Sequence, residues 1–312
     1  MYENLQILLT NSSWKLIQRS HIYEIDGKPP LWLYWDNKNN RSKMPPHICL
    51  ALRSLHCHNH ERFSIRIVNS KSIHNYIPDV HAIFSYLIPA HRADYFRGRI
   101  LEKYGGMYMD IDAIALQSLG QWFDFLTYHG YNIVGYSWLP DGDRIGIGTL
   151  GPVHANHPLF QQYTRDVHKK MDDKLHLTRQ ANRDLFRWAE IMREIIVPIF
   201  HGLVKRNETK FMMYDGPSTV GQLTARGLSL LSNTEDCNAS QKLNLNVPFL
   251  IYHNSALRNF NGTDQQLLES QTLLGCLYRL SLKSCKSDVG TSITKKDPSC
   301  DDLQLLYTKD RN

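Results

Sequence analysis

A chain of 312 residues with 42% hydrophobic and 21% charged residues can build a sizeable core, which excludes a disordered or fibrous class and leaves one large α/β domain or two smaller ones. Its net charge of +6 is spread without long Lys or Arg blocks, so a solvated surface with some attraction for anionic ligands or membrane surfaces explains it and nucleic acid is not required. The N-terminus offers only Leu5, Ile7, Leu8 and Leu9 behind Glu3, too short an apolar mix for a signal peptide or transmembrane anchor. The expectation on that ground is a cytosolic chain with at most peripheral membrane contact, or one whose secretory anchor has been lost from this sequence.

Residues 1–28 read as an amphipathic extension, with Leu5, Leu8, Leu9, Leu16 and Ile17 available to pack and Asp26-Gly27 as a turn. Leu31 to Trp35 is an aromatic and aliphatic strand ending in the polar turn Asp36 to Asn40. The spacing of Ile48, Leu50, Ala51 and Leu55 predicts a helix over Pro45 to Leu55, and Phe63 to Val68 alternates as a second strand. Strand, helix, strand is the rhythm of a parallel sheet covered by helices, in which ligands bind beyond the carboxyl ends of the strands. Asp36 stands just past the first of those ends.

From Ala93 to Tyr104 the residues Ala93, Phe96, Ile100 and Tyr104 recur at spacings of three and four, so one helical stripe faces a core while Asp94 and Arg97 share a neighbouring face. Gly105 and Gly106 turn the chain out of the helix, and Met107, Tyr108 and Met109 restart it as a strand that delivers Asp110 and Asp112. In extended backbone residues i and i+2 point to one side, so both carboxylates are expected to project together while Ile111 packs inward. Two acceptor-only groups side by side repel unless a cation lies between them. Hard oxygen ligands suit magnesium or manganese carrying a phosphate-rich substrate.

Gly120 to Phe125 and Asn132 to Trp138 continue the alternation of helix and strand until Pro140-Asp141-Gly142-Asp143 breaks it. His154 to Pro158 opens a helical region, and Gln161 to Arg206 is mostly amphipathic helix, with Trp188, Ile191, Ile195, Ile196 and Ile199 expected in the core. No chemistry is assigned there. Asp215-Gly216-Pro217 precedes a helix over Ser218 to Leu223 whose start favours an anion. Phe249 to Tyr252 is a strand that delivers His253 and Asn254, and past Leu282 the chain reads as a loosely ordered polar tail.

The run from His91 to Ala113, HRADYFRGRILEKYGGMYMDIDA, resembles the signature of DXD-containing glycosyltransferases of the family 32-like group, which holds α-mannosyltransferases, α-1,4-galactosyl- and N-acetylglucosaminyltransferases and capsular-polysaccharide synthesis enzymes. The composite carries the resemblance: an Asp and Arg three apart, an apolar pair, Tyr-Gly-Gly, an apolar strand and then DxD. It implies a GT-A type α/β fold, with a Rossmann-like nucleotide-binding sheet flanked by helices and a helical acceptor-side region. The transferase domain is expected over residues 29–270, between the extension 1–28 and a polar tail 271–312. The resemblance further implies Mn2+ or Mg2+ held by Asp110 and Asp112, a UDP- or GDP-sugar donor, a glycan or glycolipid acceptor, and hexose transfer with retention of configuration. By the same resemblance Asp94 hydrogen-bonds donor-sugar hydroxyls, Arg97 grips sugar or phosphate oxygens, and Trp32 lies where the nucleotide base packs. Gly216 belongs to a Gly-Pro element near the sugar pocket, and His253 contacts the metal or diphosphate. Plain structural uses stand beside these: core packing for Trp32, a strand end for His253, an exposed i, i+3 ion pair for Asp94 and Arg97. No residue stands out as a nucleophile, so a front-face path stays open.

Two other classes remain open. One is a metal-dependent phosphatase or phosphotransferase with Asp110 as nucleophile, although Ile114 occupies the place of the Thr in a DxDxT motif. The other is a non-catalytic sugar-nucleotide-binding module on the same fold. Six cysteines form no CxxC pair, which argues against a zinc ribbon or thioredoxin-type centre, and Cys57, His58 and His60 read as a polar loop. Cys285 and Cys300 would pair with each other only in an oxidising compartment. Sequons at Asn11, Asn40, Asn207, Asn238 and Asn261 hint at a secretory route.

Overall fold

Strand and helix alternate from Pro30 to Met109, as the apolar spacing predicts. The computed structural model describes residues 24–36, 44–137, 145–180, 184–208, 210–215, 237–252, 257, 260–288 and 298–308. The first half runs β1 (Pro30–Tyr34), α1 (Pro46–Asn59), β2 (Ser64–Val68), the short α2 (Ile73–Tyr76), α3 (Pro89–Tyr104), β3 (Gly106–Met109), β4 (Ala113–Ala115), α4 (Leu119–Tyr128) and β5 (Tyr131–Ser137). There follow β6 (Ile145–Gly146), β7 (Thr149–Val153), α5 (Pro158–Lys174), α6 (Arg193–Lys205), β8 (Lys210–Asp215), β9 (Phe249–Ile251), α7 (Asp264–Glu269), α8 (Leu273–Asp288) and α9 (Cys300–Thr308).

The central sheet has the order β2-β1-β3-β7. β1 is parallel to both β2 and β3, and β7 closes the edge antiparallel to β3. Period-two alternation sends Trp32, Tyr34 and Tyr108 to one face, where they pack with Phe96, Ile100, Phe160 and Tyr163 from α3 and α5. Leu31, Leu33, Met107 and Met109 go to the other face and meet Ile48, Leu52, Phe123 and Leu303 from α1, α4 and α9. The result is the expected α/β architecture, a parallel-rich sheet with helices on both sides. A third apolar cluster joins β4 and β9 to α1 and α8 through Ile114, Leu250, Leu274 and Tyr278. No helix among the described residues is long and apolar enough to cross a membrane.

Four local expectations are corrected. Asp110 to Asp112 is not extended strand: β3 ends at Met109, the chain turns through Ile111 and Asp112, and β4 starts in a different sheet. The turn still buries Ile111. Cys57 and His58 lie not in a loop but on the last turn of α1, with His60 as its cap. Trp188 is not core; it is 76% exposed, because the helical pattern it shares with Ile191 and Ile195 is interrupted at Ala189, where φ is +67°. Past Leu282, where the chain reads as a loose tail, α8 continues to Asp288 and α9 forms, and Cys285, Leu303 and Tyr307 are buried.

Disulfides explain how so polar an end stays docked. Cys285 and Cys300 do not pair with each other: Cys49 is bridged to Cys300, Cys57 to Cys285 and Cys237 to Cys276, at Cα separations of 5.6, 5.9 and 5.4 Å. Two bridges therefore fasten α8 and α9 to α1. Closing such long loops constrains the unfolded chain, so Cys57→Ser with Cys285→Ser should lower unfolding free energy by about 2–4 kcal/mol in urea denaturation. A thiol titration of the unreduced, denatured protein should find no free cysteine.

His157 caps α5 by accepting the Leu159 amide hydrogen on Nδ1 at 3.2 Å, a role only an imidazole unprotonated on that nitrogen can fill. Burial, helped by neighbouring His154, pushes its pKa down to about 4. The unfolded chain takes up this proton near pH 6.5 and the native one does not, so the stabilisation is complete above pH 6.5 and falls away toward pH 4. Unfolding free energy should drop by on the order of 2 kcal/mol over that window, and His157→Asn should flatten the slope.

Candidate active site

The double glycine sets the site's geometry. Gly105 (φ +67°) ends α3 and Gly106 (φ +88°) begins β3, and a Cβ on either would run into backbone, that of Val153 and Ala155 at the first and of Pro30 at the second. Only glycine allows so tight a reversal. It brings the face of α3 that bears Asp94 and Arg97 against the end of β3, next to Asp110. Because β1 and β3 are parallel neighbours, Asp36 and Asp110 lie just past the same edge of the sheet, as expected from their places after the strands.

Arg97 joins the two elements. Its Nη2 lies 3.0 Å from Asp94 Oδ1 and 3.2 Å from Asp110 Oδ1, while Nη1 donates to the Ile147 carbonyl at 2.5 Å. The guanidinium sits 4.7 Å from the centroid of the Tyr108 ring, whose hydroxyl donates to Asp110 Oδ1 at 2.8 Å. The Asp110 amide donates to the Gly148 carbonyl at 2.6 Å, which ties the start of the turn to the strand-leading segment before β7. Arg97 is therefore no exposed helix ion pair. Side-chain exposure rises from 7% at Arg97 through 13% at Asp94 to 31% at Asp110, so the triad runs from the interior outward.

Burial pushes the Asp94 carboxyl up to about 6; Arg97 pulls against that shift and the Asp110 charge adds to it. Asp36 shows the opposite balance. Burial would raise it too, yet donation from the Tyr34 hydroxyl (2.7 Å), the Ser70 amide (2.8 Å) and Arg92 (3.1 Å) holds it below the usual carboxylate range. Asp36 thus fastens the ends of β1 and β2 to the first turn of α3. Asp112 is half-buried, and its carbonyl accepts the Tyr252 amide hydrogen at 3.2 Å, which ties the turn to the end of β9.

The other candidate residues divide. Trp32 is fully buried, donates Nε1–H to the Gly105 carbonyl at 2.9 Å and packs against Tyr76 and Tyr104, so of its two possible uses packing is the one its surroundings serve. Gly216 and His253, like the helix over Ser218 to Leu223 and the Pro140 to Asp143 loop, lie outside the described residues. Tyr108 and Tyr163 went unread in the sequence. Tyr108, two before Asp110 on a strand, was visible in principle by period two; Tyr163, whose hydroxyl lies 3.2 Å from the Asp94 carbonyl and whose ring fills the space a side chain at Gly98 would need, carries no local signal.

The donor set around the turn fits a hard divalent cation. Asp110 and Asp112 place two carboxylates on one turn, the acceptor-only oxygen chemistry that magnesium and manganese take.

Residues 12–128 match the glycosyltransferase sugar-binding region containing DXD motif, a span that holds Asp94, Arg97, Asp110 and Asp112. The chain carries a DXD glycosyltransferase region. Over 114 residues it is 29% identical to the uncharacterized glycosyltransferase L373 of Acanthamoeba polyphaga mimivirus, covering 36% of this chain and 43% of the viral protein. The chain thus spans less than half the length of that relative. Among solved structures, the glycosyltransferase GlyE of Streptococcus pneumoniae TIGR4 is 14% identical and aligns with 87% of this chain and 66% of its own at a TM-score of 0.44. The PaToxG glycosyltransferase is also 14% identical and aligns over 81% of this chain and 85% of its own at 0.35.

Proposed function

We propose that this DXD glycosyltransferase region belongs to a metal-dependent enzyme that moves a hexose from a UDP- or GDP-sugar to a glycan or glycolipid acceptor, with retention of configuration. The observation that supports it best is the Arg97 bridge, which holds Asp94 and Asp110 together at the sheet edge beside Asp112.

Asp110 and Asp112 would hold Mn2+ or Mg2+, which when bound neutralises charge on a departing nucleoside diphosphate. Asp94 accepts hydrogen bonds from donor-sugar hydroxyls, in a buried place where a carboxylate orients them strongly. Arg97 keeps Asp94 and Asp110 at a fixed separation, and its planar fork presents positive charge to sugar or phosphate oxygens. Tyr108 supports Asp110 from beneath. His253, as a further metal or diphosphate contact, and Gly216, near the sugar, complete the proposal from the sequence.

The test is nucleoside diphosphate release from a panel of UDP- and GDP-sugars with and without manganese. Release from one donor, abolished by a chelator and restored by the metal, is expected. Free phosphate from simple monoesters with every donor untouched would sink the transferase in favour of a phosphatase.

A further inference from the structure

Three sequons have their asparagine among the described residues, at Asn207, Asn238 and Asn261, and the function proposed above uses none of them. Asn11 and Asn40 lie outside those residues. So short a triplet occurs by chance, and it acquires meaning only where the asparagine is presented to solvent and the chain passes through a compartment that can modify it. Both conditions are met here.

Asn207 follows α6 and is exposed, with a left-handed φ of +55° that asparagine takes more readily than most side chains. Its backbone is fixed by the closure of the helix: the Asn207 amide donates to the Val204 carbonyl at 3.0 Å and the Glu208 amide to the Leu203 carbonyl at 3.0 Å. Asn261 is held from both sides. Before it, Phe260 packs against the apolar cluster of β4, β9 and α8. After it, Thr263 caps α7, its hydroxyl oxygen accepting the Gln266 amide hydrogen at 3.1 Å and its amide donating to Gln266 Oε1 at 2.8 Å. Asn261 stands exposed between these anchors, so a bulky group on either asparagine would stand in water and displace nothing of the core. Asn238 differs. The hydroxyl of Ser240, the third residue of its triplet, is turned inward to donate to the carbonyl of bridged Cys237 at 2.6 Å, and Ser240 is buried.

The bridges call for an oxidising compartment. All six cysteines are taken up in three pairs, and each Cα separation falls inside the range of about 4.4–6.8 Å that a disulfide needs. Disulfides form and persist in secreted and lumenal proteins, where Asn-X-Ser/Thr is also the acceptor of oligosaccharides.

We propose that Asn207 and Asn261 are N-glycosylation sites. At each, the Nδ2 amide nitrogen bonds to the anomeric carbon of an oligosaccharide carried on a polyprenyl diphosphate. The bond from that carbon to the diphosphate oxygen breaks with its electron pair, and the amide gives up one proton. The cell's own glycosylation machinery performs the transfer, and the inference stands apart from the transferase reading of this chain.

The test uses the protein from the cells that make it, captured by antibody and treated with peptide N-glycosidase in heavy-oxygen water, which turns each glycosylated Asn into an isotopically marked Asp. Peptide masses should show the mark at Asn207 and at Asn261. Two variants expressed in the same cells should each lose one glycan and run one step faster in gel electrophoresis: Thr209→Ala, which spares the left-handed Asn207, and Asn261→Gln, which spares the Thr263 cap. An unmarked asparagine in a digest that recovers its peptide overturns the assignment at that position. Alkylation of the unreduced protein divides the failures: bridged cysteines with unmarked asparagines sink the glycans alone, whereas free thiols with unmarked asparagines sink the oxidising compartment with them.

Discussion

Asp110→Asn and Asp112→Asn will each lower nucleoside diphosphate release by on the order of a hundredfold to a thousandfold, the scale of removing one preorganised electrostatic contact to a developing charge. Both substitutions keep shape and cost an acceptor-only group its charge. Asp110 sits in the field of Arg97 and takes the Tyr108 hydroxyl, so its loss also weakens a partly buried ion pair. In Asp112→Asn the manganese half-saturation should move to higher concentration. Wild-type release with an unshifted metal requirement would remove Asp112 from the proposed metal site.

Arg97→Met will be the most destabilising single change at the site. It keeps side-chain length but leaves the Asp94 and Asp110 carboxylates, both contacted by one guanidinium nitrogen, without their shared counter-charge. Breaking a buried pair by removing one partner costs about 3–5 kcal/mol, since the remaining charge stays desolvated. The sign of the pH dependence follows. Asp94 already holds its proton more tightly in the native state than an ordinary carboxyl does, and the loss of Arg97 removes the group that pulls its pKa down. The variant's deficit should shrink as pH falls through the raised Asp94 pKa, because the native state then binds a proton that the unfolded chain binds less well. Urea denaturation at pH 8 and pH 5 measures it; a deficit under about 1 kcal/mol at pH 8 would mean that the bridge is not what holds the two carboxylates.

Local chemistry was readable in the sequence, and long-range chemistry was not. The stripe of Phe96 and Ile100, the glycine stop and the apolar strand before Asp110 each follow from spacing within a few residues, and all stand in the structure. That Asp94 and Arg97 share a face was likewise legible from i, i+3. That Arg97 also reaches Asp110 and the Ile147 carbonyl depends on how α3 packs against the segment before β7, some fifty residues on, and no periodicity encodes it. The DxD was assigned to strand because apolar residues continue on both sides of it; the chain instead turns there to leave one sheet for another, which alternation cannot reveal. Trp188 fell in step with Ile191 and Ile195 and so looked internal, until a single left-handed residue broke the step. Six cysteines allow about fifteen pairings, and choosing among them needs Cα distances.

The seam between the two sheets has a practical side. β4, which follows Asp112 directly, is held by β9, and the Ser281 hydroxyl of α8 donates to the Ala115 carbonyl at its far end. Trimming the chain near residue 270 to discard its polar end would strand Cys49, Cys57 and Cys237 as thiols and strip the backing from β4. An affinity tag or fusion partner is better placed beyond Thr308 than in exchange for the two helices, because the turn bearing Asp112 is braced by residues that a boundary drawn from composition would cut away.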